Sequence, residues 1–293
     1  RGDVVEVSTV DPQQGAIFYT LKQQISESPR FVRDRGQCLI CHASSRTKKV
    51  PGHLVRSVYP SRDGQPHFGL GTITTDHRTP FEERFGGWYV TGTHGSMRHL
   101  GNAIAQDNRK DPIDPEPGAN LTSLTRLFRT SAYLQPTSDL VALMTLEHQS
   151  QMHNFITAAS YETRRAMHHD SVMNEALKRP GDYVSESTGR RIRSAADKLV
   201  EYMLFTDEFR LTSPVAGVSE FTEVDAINGK VLVVIAFTAD FQFGIDLREL
   251  RPQLTHVLRI VVDREPKGFI SAGIFVRDGA GEASEVVVDE RDL

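Results

Sequence analysis

Both cysteines of this 293-residue chain fall in one pentapeptide, Cys38-Leu39-Ile40-Cys41-His42. On one turn of helix, residues three apart present their sulfurs to the same side. There they can form thioethers with the two vinyl groups of a porphyrin, while the adjacent His42 coordinates the iron. The other chemistries open to two thiols fit less well. A structural zinc site takes four nitrogen or sulfur ligands, commonly from two knuckles, and the chain has no second cysteine pair. A thioredoxin-like redox pair follows a buried strand, whereas residues 33–37 are polar. A disulfide across three residues closes too small a loop to stabilise much. One covalent haem c, with His42 as proximal ligand, is the cofactor expected.

The ligand on the other face of the iron decides between an electron carrier and a site open to small molecules or peroxide. Segment 86–102 contains His94, Met97 and His99 among glycines, which let backbone approach a flat cofactor closely. His94 ranks first as iron ligand, His99 second and Met97 third, each of them also compatible with an ordinary loop side chain. Arg78 and Arg84 are expected to neutralise haem propionates, with His77 behind them, and Trp88 to pack on the porphyrin edge with its N–H toward a propionate. Core packing is an equal expectation for Trp88. Arg98, beside His94 and His99, keeps a peroxidase-like reading open. His148 and His153 are reserve distal ligands. Five residues turn a helix about 140° past a full circle, so the two do not share a face for an ordinary two-histidine metal site.

The elements that must position these groups divide the sequence in three. Residues 1–119 form a turn-rich region expected to hold the haem, with a helix at 12–24 and short strands at 54–59 and 88–93. Residues 111–120, with three prolines, read as a linker. Residues 120–220 form a helical region: one helical face at 121–128, a stop and fresh N-cap at 136–138, a long helix from Leu140 to about Met167, and another at 190–205. Residues 221–293 are β-rich, with strands at 231–237, 257–262, 269–276 and 285–288 and a hairpin turn at 278–281. The fold class expected is α+β: a mainly helical, loop-rich, cytochrome c-like haem region, a helical extension and a small C-terminal β segment.

With 34 basic and 38 acidic side chains, the formal charge is −4, which gives no basic stripe and no reason to expect nucleic acid. The longest fully apolar run, Val231 to Phe237, is far too short to cross a bilayer. The absence of an initiator Met before Arg1 leads us to expect a processed or truncated N-terminus.

Cys38 to His42, Val50-Pro51-Gly52-His53, Thr75-Asp76-His77-Arg78 and Gly87-Trp88-Tyr89-Val90-Thr91-Gly92-Thr93-His94-Gly95 together resemble a family of uncharacterised bacterial proteins described as cytochrome c domain-containing, familiar from planctomycetes. Leu146-Glu147-His148-Gln149, Met152-His153-Asn154 and Tyr161-Glu162-Thr163-Arg164 are similar to that family too. The resemblance covers roughly residues 11–221. It implies haem binding and electron transfer, and attachment by thioethers implies a periplasmic or otherwise extracytoplasmic site. Members continue N-terminally beyond Arg1, and the β-rich tail is unlike the helical ending the family leads one to expect. The leading expectation is thus a monohaem c-type cytochrome serving redox partner proteins. A haem enzyme of peroxidase or oxidase type, with an open or displaceable sixth site, is the alternative, and a haem-bearing sensor or subunit of a redox complex is the third.

Overall fold

The computed structural model describes residues 4–25, 28–106 and 112–219, and beyond them the backbone of five short strands. The chain divides into two compact units, 1–224 and 225–293.

The first unit opens on a hairpin. Strand β1 (Val4–Asp11) pairs antiparallel with β2 (Gly15–Lys22), Val4 opposite Lys22 and Asp11 opposite Gly15. Its turn is built by Asp11, whose Oδ1 accepts from the Gln13 and Gln14 amides, and by Gly15 at φ 79°. The helix expected at 12–24 is therefore a turn and a strand. Aromatic and β-branched Ile17, Phe18, Tyr19 and Thr20 suit a pleated surface half covered by protein. A third strand, β3 (Val32–Arg33), lies along β2. Helix α1 (Leu39–His42) follows, then the antiparallel pair β4 (Arg56–Val58) and β5 (Thr72–Thr74).

Among the described residues between β5 and residue 139 the backbone is irregular, held by short 3-10 turns and by side chains. The expected strand at 88–93 reduces to isolated bridges, Thr91 to Asp139 and Thr93 to Ala216. The helical face expected at 121–128 is a single 3-10 turn, Leu124–Arg126. The expected linker is packed in place: Ile113 and Gly118 are buried, and the Gly118 carbonyl accepts from Asn102 Nδ2.

Helix α2 (Leu140–Ala176) is the spine of the unit and runs well past Met167. Its N-cap is Asp139, whose Oδ1 accepts from the Val141 and Ala142 amides. Its buried residues include Glu147, His148, Gln151, Asn154, Asp170 and Asn174, so this helix is held by polar partners as much as by an apolar stripe. Asp170 accepts from the amide and hydroxyl of Ser185, the residue that caps α3 (Glu186–Met203). Helix α3 buries Ala196, Leu199 and Tyr202. An apolar cluster of Phe81, Phe85, Val90, Met97 and Leu140 underlies the start of α2.

This corrects the expected fold class. Among its described residues, the region before residue 119 holds one α-helix of four residues, and its framework is small antiparallel sheets, turns and coil. It is not a mainly helical, cytochrome c-like region. Glycine, proline and β-branched residues occupy the positions where packed helices would need long apolar periods, and side-chain hydrogen bonds to backbone stand in for those helices.

In the second unit, β6 (Ala226–Ile227) pairs with β7 (Lys230–Val231). Strand β10 (Phe269–Gly273) lies between β8 (Ile235–Thr238) and β9 (Val261–Arg264), antiparallel to both. The expected turn at 278–281 and strand at 285–288 lie outside the described residues.

Candidate haem-attachment site and the histidine clusters

The turn carrying the two cysteines is held from both sides. Upstream, Asp34 Oδ2 accepts from the Gly36 and Cys38 amides, and these bonds hold its carboxyl below the usual range. Cys38 then serves as N-cap of α1, with both thiols unpaired and Cys41 exposed. Downstream, the Gly52 amide donates to the His42 carbonyl at 2.8 Å, and His42 Nδ1 donates to the Gly52 carbonyl at 2.9 Å. That bond places the ring proton on Nδ1 and leaves Nε2 with its lone pair, the arrangement a ligating imidazole requires. A side chain at Gly52 would put Cβ 2.1 Å from Asn154 Oδ1. Asn154, fully buried on α2, accepts from the His53 amide and donates to the His53 carbonyl, both at 2.8 Å, which fixes the His42 anchor to the spine.

Helix α1 buries none of its residues; Ile40 is 72% exposed beside exposed Leu39, and Phe31 and Val32 of the preceding segment are exposed too. Two thiols on one turn, an imidazole held through Nδ1 and uncovered apolar side chains make a donor set and surface that suit covalent haem. Phe18 packs against His42 with ring centroids 4.6 Å apart, and His53 lies 6.2 Å from Phe18. His153 meets His53 edge-on at 5.9 Å. Burial, with His153 and His42 nearby, pushes His53 down to about 4, and burial also lowers His153, so both are neutral and able to offer a lone pair near neutral pH.

The residues ranked first as distal ligands stand elsewhere, in a group of their own. His94 is buried with both ring nitrogens engaged: Nδ1 donates to the Met97 carbonyl at 2.7 Å, and Nε2 accepts from the Asn120 amide at 3.0 Å. Asn120 completes the tie, its Oδ1 accepting from the His94 amide and its Nδ2 donating to the Gly95 carbonyl. His99, pushed down to about 3 by burial, accepts from the Gly101 amide through Nδ1, so the neutral ring carries its proton on Nε2. Met97 belongs to the apolar cluster with Phe81 and Phe85. Ring contacts of 4.8–5.7 Å join His94 and His99 to one another and to Phe81. In this arrangement the glycines close a turn around histidines that hold the loop together; neither imidazole leaves iron a bare nitrogen, and the Met97 thioether is buried in the apolar cluster.

The expected propionate partners are likewise occupied. Arg84 is 2% exposed and donates to the Thr79 carbonyl, the His77 carbonyl and Glu147 Oε2. Arg78 is paired with Asp76. Trp88 donates its indole N–H to the Arg56 carbonyl at 2.8 Å. Arg98 forms a two-pronged bond to Glu116 and donates to the Gly95 and Met97 carbonyls.

A third group was not legible as a unit in the sequence. His77 Nε2 donates to the Thr206 carbonyl, so its bare Nδ1 accepts from His148 Nδ1 at 3.0 Å. His148 stacks on Phe205 at 4.0 Å, and its remaining nitrogen, Nε2, is buried with no partner among the described residues. Burial pushes His148 down to about 4 and Glu147 up to about 7, the latter despite Arg84 at 3.4 Å. The pairs Asp76-His77 and Glu147-His148 are the signal that could have found it: polar couples in segments otherwise destined for burial.

Among the described residues, no group of three or more His, Cys, Asp or Glu side chains could hold a metal ion by itself. None of the described helices is long and apolar enough to cross a membrane. Comparison of the chain with protein-family models, with curated proteins and with solved structures gives no match.

Proposed function

We propose that this chain is a monohaem c-type cytochrome, passing single electrons to redox partner proteins in the periplasm through one haem attached at Cys38 and Cys41 and ligated by His42. The observation that carries this reading is the His42 Nδ1 to Gly52 carbonyl bond immediately beside two unpaired thiols. Haem bound there supplies a one-electron couple whose potential depends on its second axial ligand and its burial. The chain's own residues do the positioning. Gly52 holds the proton on Nδ1, Asn154 holds the segment carrying Gly52 and His53, and Leu39 and Ile40 offer apolar cover. His53 and His153 replace His94, Met97 and His99 as the side chains to be tested as second ligand, because they lie in the neighbourhood of His42; His53 shares its Nδ1 with the Ser8 hydroxyl at 3.4 Å and keeps Nε2 for a ligand.

One observation favours the haem-enzyme alternative. Among the described residues His153 is held by its ring contact to His53 and by no hydrogen bond, so a ligand at that position would be displaceable. The experiment is expression in a host competent for haem attachment, followed by intact mass and spectra of the reduced protein with and without carbon monoxide. A mass increase of one haem and a low-spin spectrum indifferent to carbon monoxide support the carrier. Ready carbon monoxide binding supports the enzyme, and the bare polypeptide mass sinks both.

A further inference from the structure

Outside the histidine groups, the first unit has a cavity of about 740 Å³ between α2, α3 and the loop at 45–50. One face of α3 lines it through Ser187, Arg190, Arg191, Ser194, Ala195 and Lys198, at the three- and four-residue spacing of a single helical stripe. From α2 come Phe155, Ala158, Ala159, Glu162 and Arg165, and from the loop Lys48, Lys49 and Val50. The small alanines keep the groove between the helices open, and with Val50 and Phe155 they give it an apolar floor.

The charge is one-sided. Six basic side chains line the cavity against one carboxylate, in a chain whose formal charge is −4. That carboxylate, Glu162, is already shared by Arg165 and Arg191. Arg190 pairs with Glu186. Lys49 and Lys198 have no ion pair among the described residues, and Lys48 carries its ammonium 4.5 Å over the Phe155 ring. Lys48 and Lys49 both adopt left-handed backbone, at φ 60° and 64°, where glycine would be less strained. Like charges gathered in a recess repel one another and focus a positive potential that an anion relieves. Ser45, Ser187 and Ser194 add hydroxyl donors.

We propose that this groove binds a small organic polyanion of nucleotide size, its phosphate-type groups among Lys48, Lys49 and Lys198 and its apolar body on the Phe155–Ala159 floor. The volume lies in the range of small-molecule sites. The inference does not depend on haem, and no residue of the cysteine turn lines the cavity.

Isothermal titration of the haem-loaded chain with ATP, pyrophosphate and adenosine tests it. ATP should bind with an affinity that weakens as salt rises, and adenosine should bind far more weakly. The double variant Lys49→Glu/Lys198→Glu should cost about tenfold or more in affinity. Ala195→Trp, which fills the groove without touching a charge, should block binding, and neither variant should move the haem absorption bands. No binding of ATP, undiminished binding by both variants, or pyrophosphate binding as tightly as ATP would each overturn the proposal. So would binding seen only in a Cys38→Ala/Cys41→Ala chain and lost when haem is attached, since the groove would then be where the haem packs.

Discussion

Around the cysteine turn, an imidazole bonds through one nitrogen and leaves the other with its lone pair, as His42 does against Gly52. In the 86–102 loop, His94 engages both nitrogens and His99 spends its Nδ1 on a neighbouring amide. Burial lowers the pKa of histidines in both regions, so protonation state does not separate them. What separates them is which ring nitrogen keeps a lone pair: His42 keeps a bare Nε2, whereas His94 has both nitrogens engaged and His99 is left with an N–H. Glycines beside a histidine thus have two meanings, room for a cofactor or room for the chain to wrap the ring, and only the partners of the ring nitrogens tell them apart.

The largest effect is expected at the buried pair of Arg84 and Glu147, which ties the 86–102 loop to α2. Arg84→Met strips the Thr79 and His77 carbonyls of their buried donor and Glu147 of its cation, a loss that protonation of Glu147 offsets only in part. It should cost about 3–5 kcal/mol in denaturant unfolding while leaving haem attachment by mass unchanged. Acidification comes next. His99 and His148, lowered by burial from 6.5 to about 3 and about 4, stay neutral in the fold while the unfolded chain takes up protons below about 6.5. Their stabilisation is present above 6.5 and lost as pH falls through 4 to 3. Glu147, raised from 4.5 to about 7, acts oppositely: its contribution is full below 4.5 and lost as pH rises through 7. Three histidines, His53 lowered to about 4 being the third, against one carboxyl should lower stability by roughly 4 kcal/mol between pH 6.5 and 4.5, and His148→Gln should flatten that slope.

His94→Ala strips the Met97 carbonyl and Asn120 amide of their partner and should cost about 1–3 kcal/mol without altering the haem spectrum. His153→Ala should do the reverse, changing stability by about 0.5 kcal/mol or less while shifting the absorption bands. If His94→Ala shifts the bands and His153→Ala does not, the assignment of the two regions is inverted.

The cysteine spacing was legible because covalent attachment demands fixed residues at fixed separations. Helix α2 was legible from its apolar period and a cap expected at 136–138, which falls at Asp139, and α3 from its apolar period alone, its Ser185 cap and first turn lying upstream of the expected start at 190. Strand β2 was misread as helix because its apolar residues were weighed more heavily than the Asp11 to Gly15 turn that precedes them. The polar face of α2 was invisible for a different reason. Asn154, Gln151 and Glu147 are buried only because distant segments supply their partners, and Asn154 meets His53 across about a hundred residues of chain.

Asp139 does more than begin a helix. Its Oδ1 serves the α2 amides, while its Oδ2 accepts from the amides of Val218 and Ser219 and from the Ser219 hydroxyl. One carboxylate therefore buckles residues 218–219 to the head of the spine. Anyone trimming this protein to its first unit should cut after Ser219: a clip at the close of α3 would look tidy on paper and unfasten the helix eighty residues upstream.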